Sequence, residues 1–312
     1  MAEPTARDLG LGRVGVWGHL DSLRAREARA YAARVEALGY GTLWVPETVG
    51  REPFTLLGLL AGATSSLSLG TSIASIWGRD AQSTRMAAET LQEATGGRFV
   101  LGLGVSHPHL AQKLRGHAWE RPLEQLRAYL AAYRAAVYKG PEDPAAGPPP
   151  ILLAALRERM LGLAASEADG AFLYLATTER VAWARGRLDE AAAAAARPRP
   201  ALAVPLPIVV EVDPGTARAA ARGYLGPYLR TPAYQAAWAE QGFTEADWER
   251  PGSDRLVDAM VAWGAMPELL GRVAACHAAG AEHVALIPLD PGGVTEHLPA
   301  LEALAEVGLT AA

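Results

Sequence analysis

The stretch richest in chemistry is Leu101-Gly102-Leu103-Gly104-Val105-Ser106-His107-Pro108. Two glycines at a strand end let a flat ligand or another backbone come close. His107 adds an imidazole that can give or take a proton near neutral pH, although a loop histidine bonded to its neighbours is the plainer alternative. A dinucleotide fingerprint is not expected, because the third glycine is missing and Pro108 interrupts the helix start. Val45-Pro46-Glu47 offers a carboxylate that either opens a helix, pairs with Arg51 or Arg79, or faces a ligand. Trp17 either walls an aromatic ligand or plugs a barrel top. In Ala155-Leu156-Arg157-Glu158-Arg159 a helix begins with two arginines, which reads as an anion site or as a solvated helix start. His107, His109 and His117 have no carboxylate placed among them and make a poor metal set, so no metal is expected. Cys276 is the one cysteine; it lies in an apolar helical run and reads as a buried thiol.

These residues need elements to position them. Largely apolar runs predict eight strands, at Arg13–Trp17, Thr42–Val45, Leu67–Ile73, Arg98–Leu103, Pro150–Ala154, Gly170–Tyr174, Ala201–Val212 and His283–Ile287. Helical patterns alternate with them: Ser22–Leu38 with Asp21 as its cap, Ser83–Ala94, Leu123–Tyr138, Glu158–Ala168, Glu179–Ala196, Thr216–Leu225, Arg255–Trp263, Pro267–Ala279 and Leu298–Val307. Eight strands alternating with helices predict an α/β (β/α)8 TIM barrel with insertions, as one domain over residues 1–312. The excess over about 250 residues must lie in insertions. The best candidate is Gly226–Ser253, whose Tyr228, Tyr234, Trp238 and Trp248 suit a lid or an extra helical layer. Chemistry in such barrels gathers at the C-terminal strand ends, where Trp17, Glu47, Ser106, His107 and Ala155–Arg159 fall.

Composition narrows the partners. Of 312 residues, 29 are basic and 34 acidic, giving a net charge of −5 and no basic patch for nucleic acid. The longest apolar stretch, Thr55–Leu69, is short of the roughly 20 residues of a membrane span. Met1-Ala2-Glu3-Pro4-Thr5 carries no signal pattern. A cytoplasmic chain acting on a small molecule is expected, with neither nucleic acid nor membrane as partner.

Several stretches in order carry a resemblance. They are Gly39-Tyr40-Gly41-Thr42-Leu43-Trp44-Val45-Pro46-Glu47, Leu69-Gly70-Thr71-Ser72-Ile73, Gly97-Arg98-Phe99-Val100-Leu101-Gly102-Leu103-Gly104, Arg121-Pro122-Leu123, Ala168-Asp169-Gly170 and Ala279-Gly280-Ala281-Glu282-His283-Val284. Together they resemble the luciferase-like oxidoreductases, nearest the actinobacterial branch that uses coenzyme F420, over roughly Arg13–Leu289.

The resemblance implies a cofactor ring lying across the strand C-termini, backed by a bulge at Ser72–Ile73 that often contains a cis peptide. Trp17, Glu47, Gly104 and Ser106 would stand beside the ring, and Ala155, Leu156, Arg157 and Arg159 near the tail phosphate. Glu47 aligns with the acidic residue that contacts the deazaflavin. Thr48 replaces a catalytic histidine, and His107 replaces a glutamate acid. Leu156 and Arg157 stand where relatives carry phosphate-contacting glycines. These departures speak against sugar-phosphate dehydrogenation and leave hydride transfer to a small organic substrate, with His107 as proton donor and Glu47 as its companion. The alternatives are a monooxygenase using FMN and oxygen, and a barrel that binds a flavin-like ligand without catalysis. The resemblance also implies a homodimer.

Overall fold

Thr42-Leu43-Trp44-Val45 is apolar on both faces and buried throughout, as a strand paired on both edges must be. Ten such strands occur among the described residues of this computed structural model, 9–141, 143–292 and 295–311. The Met1–Thr5 stretch lies outside them. The strands are β1 (Val14–Trp17), β2 (Thr42–Val45), β3 (Ser68–Thr71), β4 (Ala74–Ser75), β5 (Phe99–Gly104), β6 (Ile151–Ala154), β7 (Gly170–Phe172), β8 (Ala201–Val210), β9 (Ala262–Gly264) and β10 (His283–Leu289).

All ladders are parallel, in the order β10-β1-β2-β3-β5-β6-β7-β8, and β8 pairs back onto β10. This closes an eight-stranded barrel with helices outside it, the expected (β/α)8 architecture. Two short strands are additions. β4 takes the place of β3 beside the upper half of β5, with Ala74 opposite Leu103. β9 joins the upper edge of β8, with Ile208 opposite Ala262.

Side chains alternate as the pleat requires. Leu43 and Val45 pack outward against the helices, while Trp44 points into the barrel. Gly15 and Gly70 make room for that interior filling: a Cβ on Gly70 would lie 2.3 Å from the Trp44 ring, and one on Gly15 2.6 Å from the His283 ring. The Trp44 indole N–H donates to His283 Nε2 at 2.9 Å, and His283 Nδ1 lies 2.7 Å from the Gly12 carbonyl. Both contacts demand a neutral ring protonated at Nδ1.

The helix expected to Tyr138 ends at Ala135, the strands expected to Tyr174 and Val212 end at Phe172 and Val210, and three further expectations require correction. The run Leu67–Ile73 is divided, because the chain leaves the ladder at Ser72–Ile73 before β4 resumes it. The helix expected at Arg255–Trp263 stops at Met260, since Ala262–Gly264 pair with β8. The helix expected from Ser22 begins at Ala25, capped at Arg24 by Glu27 and not by Asp21. Between β8 and β9, helices Pro214–Leu225, Pro232–Ala239, Glu245–Trp248 and Asp254–Met260 form an added layer whose Tyr224, Tyr234 and Trp238 join the barrel-interior apolar group. No helix among the described residues is long and apolar enough to cross a membrane.

Candidate functional site

The C-terminal strand ends bring the predicted residues to one face. Ser72 and Ile73 follow β3, joined by a cis peptide bond, and both are half-buried. The bulge is pinned from three sides. The Trp17 indole N–H donates to the Ser72 carbonyl at 3.0 Å, the Ser72 amide to Val45 O at 2.8 Å, and the Glu47 amide to Ile73 O at 3.3 Å. Trp17 is itself buried. It therefore both plugs the barrel top and holds the bulge.

The glycines of β5 serve packing. A Cβ on Gly102 would lie 1.9 Å from the Thr71 carbonyl, and one on Gly104 2.9 Å from Ile73 Cδ1. Of the two readings, close approach of another backbone accounts for Gly102, while Gly104 admits the Ile73 side chain beneath the bulge. Ser106 then turns the chain in the left-handed region at φ 57°, which sets His107 over the mouth.

His107 is half-buried, and its Nδ1 is fully enclosed with no hydrogen-bond partner. Its ring stacks on His109 at 6.0 Å and lies 5.3 Å from the Tyr234 ring. Burial first, and the neighbouring His109 second, lower its pKa to about 4, so the ring is neutral at pH 7. An enclosed, unpartnered nitrogen costs free energy unless something else occupies it.

Glu47 is differently placed. Its side chain is 5% exposed, with Oε2 accepting from Arg79 at 2.8 Å and from the Ser75 amide at 2.8 Å, and Oε1 from Arg115 at 2.6 Å. The expected pairing with Arg79 is present; the second arginine, 68 residues on, gave no local signal. Thr48 lies on the rim beside it, in a cavity of about 330 Å³ with Arg51, Arg79 and Arg115.

After β6, Ala155 is buried, and its amide donates to Phe172 O at 2.9 Å. The Leu156 carbonyl accepts from Arg180 at 3.0 Å. Arg157 donates through Nε to Glu240 at 2.6 Å, and Arg180 holds the other Glu240 oxygen at 2.6 Å. A carboxylate from the added layer thus lies at the helix start where an anion was expected. Arg159 is largely exposed, with Glu124 at 3.4 Å. Among the described residues no three His, Cys, Asp or Glu side chains gather in a group able to hold a metal. Sequence reasoning missed Arg180 and Tyr224, which reach the mouth only through tertiary packing.

The comparisons with known proteins bear on the family and the fold. A family model described as luciferase-like monooxygenase matches residues 9–283. A putative coenzyme F420-dependent oxidoreductase of Mycobacterium tuberculosis is 34% identical over 126 residues, 40% of this chain and 35% of that protein. The match therefore spans about a third of that relative's length. Among solved structures, an F420-dependent secondary alcohol dehydrogenase in complex with an F420-acetone adduct aligns with TM-score 0.77 at 15% identity, covering 96% of this chain and 99% of the other. A type II Baeyer-Villiger monooxygenase component of Pseudomonas putida in complex with FMN aligns with TM-score 0.72 at 13% identity, covering 95% and 96%. At such identities the structural likeness establishes the fold alone.

Proposed function

The chain belongs to the luciferase-like monooxygenase family, and from that premise we propose that it is an oxidoreductase working with coenzyme F420 on a small organic substrate. The observation that carries the reading is His107, whose neutral ring presents an enclosed, unpartnered Nδ1 at the barrel mouth. The mycobacterial relative named for F420 supports the cofactor.

The residues fit such a group. The half-buried Ser72–Ile73 bulge, held by Trp17, offers a face for a flat ring, and Ser106 leads the chain around it. Gly104 contributes by letting Ile73 sit low against β5. Beside the Ala155–Leu156 turn, Arg157 is paired with Glu240 and would supply charge to a tail phosphate only by exchanging that carboxylate for it, with Arg159 further out on the rim. When bound, a deazaflavin supplies the hydride chemistry, while the protein orients and encloses it.

His107 handles the proton. As a neutral base, Nδ1 takes the proton from a substrate hydroxyl as the carbonyl forms. To act as donor it must first carry a charge, which its surroundings oppose. The same charge forms on the ring when it accepts the proton, so burial weighs on both directions of the reaction. Glu47 acts at one remove: it ties Arg79, Arg115 and the Ser75 amide together and so fixes the segment that follows the bulge.

One observation favours a second reading, the FMN-dependent monooxygenase. Both Glu47 oxygens are engaged by arginines, so the carboxylate that would contact a deazaflavin is already occupied. Turnover separates the two. Anaerobic reduction of oxidised F420 by small secondary alcohols is expected; oxygen uptake with reduced FMN, or turnover with neither cofactor, overturns the reading.

A further inference from the structure

Nine tyrosines stand in this chain against four phenylalanines, and four of the nine gather over the barrel mouth. Tyr174 follows β7, Tyr224 lies near the end of helix Pro214–Leu225, Tyr228 comes just after it, and Tyr234 sits in helix Pro232–Ala239. The Tyr174 ring lies 5.5 Å from Tyr228 and 5.9 Å from Tyr234, and those two are 5.1 Å apart, all edge to face. The Tyr174 and Tyr224 hydroxyls are hydrogen-bonded to each other, and the Tyr228 ring lies 5.6 Å from that of Tyr224. Tyr234 links this group to His107, ring to ring at 5.3 Å.

The surroundings are apolar: Leu175, Ala221, Leu225, Trp238, Ile287 and Leu289 belong to the same packed group. Among the described residues, the Tyr174 and Tyr224 hydroxyls find a hydrogen-bond partner only in each other. Phenylalanine would fill the same volume without desolvating a hydroxyl, which costs about 1–3 kcal/mol where the partner is poor. Positions that forgo the better-packed choice are where function resides.

Resting on the oxidoreductase reading above, we infer that the Tyr174–Tyr224–Tyr228 hydroxyl cluster, with His107 beside it, is the substrate-oxygen site, and that it selects an uncharged alcohol or ketone on an apolar or aromatic body. A phenol hydroxyl donates to a carbonyl and accepts from an alcohol, so one cluster serves both oxidation states of the substrate. Among the described residues no cationic side chain bonds to these hydroxyls or stacks on their rings, so a buried carboxylate or phosphate would stand there unpaired, which is strongly disfavoured.

Acetophenone and benzoate make a matched pair, nearly equal in shape and differing in charge. Their affinities for the purified chain, alone and with saturating oxidised F420, are measured by calorimetry. Acetophenone is expected to bind at least tenfold more tightly. Tyr228→Phe and Tyr174→Phe, both at half-buried positions, should each weaken acetophenone about 2–12-fold, the equivalent of one hydrogen bond, and leave F420 affinity unchanged. Equal or tighter binding of benzoate, undiminished acetophenone affinity in both variants, or no binding of either compound overturns the inference. F420 that fails to bind while acetophenone keeps its preference counts against the cofactor reading alone. F420 that binds with no preference between the compounds counts against this site alone.

Discussion

At the scale of single residues, His107 and Glu47 show how burial and partners divide two groups that look equally chemical on paper. Glu47 is 5% exposed but saturated by Arg79, Arg115 and the Ser75 amide, so its charge is spent on structure. His107 has lost its solvent without gaining a partner at Nδ1. If it takes the substrate proton, the acid limb of kcat/KM for alcohol oxidation falls with an apparent pKa near 4, below the ordinary histidine value. His107→Gln should remove that limb and lower turnover by about 10²–10⁴ with cofactor affinity intact. A limb centred near 6.5, or unchanged turnover in the variant, takes the role away from His107. The residue was legible because its loop follows a strand of unmistakable pattern. Its neutral state was not, since that depends on Tyr234 and the packed layer far along the chain.

At the scale of elements, the barrel strands could be read from the sequence because their apolar runs sit between clear helical periods. What escaped was pairing set by the partner. Val261-Ala262-Trp263 continues a helical pattern, yet β8 is long enough to recruit Ala262–Gly264 as β9. The Glu47–Arg115 pair spans 68 residues, beyond the reach of any local signal. Glycines behave according to their element. Gly102→Ala sets a Cβ against the Thr71 carbonyl between β3 and β5 and should cost at least about 2 kcal/mol. Gly186→Ala, in helix Thr178–Ala194 with open space around it, should instead gain about 0.5–1 kcal/mol. Urea unfolding of the two variants checks this; equal effects would show that strand packing does not govern β5.

At the scale of the whole molecule, acid is the natural weakness. His283 is buried inside the barrel, and that burial lowers its pKa from the ordinary histidine value of 6.5 to about 4. The unfolded chain binds its proton near pH 6.5 and the folded chain resists until about 4, so stability is full above 6.5 and drains as pH falls between them. About 3 kcal/mol is at stake from this one residue. Carboxylates such as Glu36, with a pKa lowered to about 2 by backbone amides of Ser65, Ser66 and Leu67 acting against partial burial, add their losses only at lower pH. His283→Gln, which keeps an acceptor for Trp44, should flatten the stability curve between pH 6.5 and 4.5. An unchanged slope in that window contradicts the assignment.

The cofactor claim joins all three scales, and it is tested most directly by binding. Oxidised F420 and, separately, FMN are titrated into the purified chain while tryptophan fluorescence is followed; Trp17, pinned to the Ser72 carbonyl, is the reporter nearest the proposed ring site. Micromolar quenching by F420 with weaker binding of FMN is predicted. Tighter binding of FMN, or no response to either, contradicts the account.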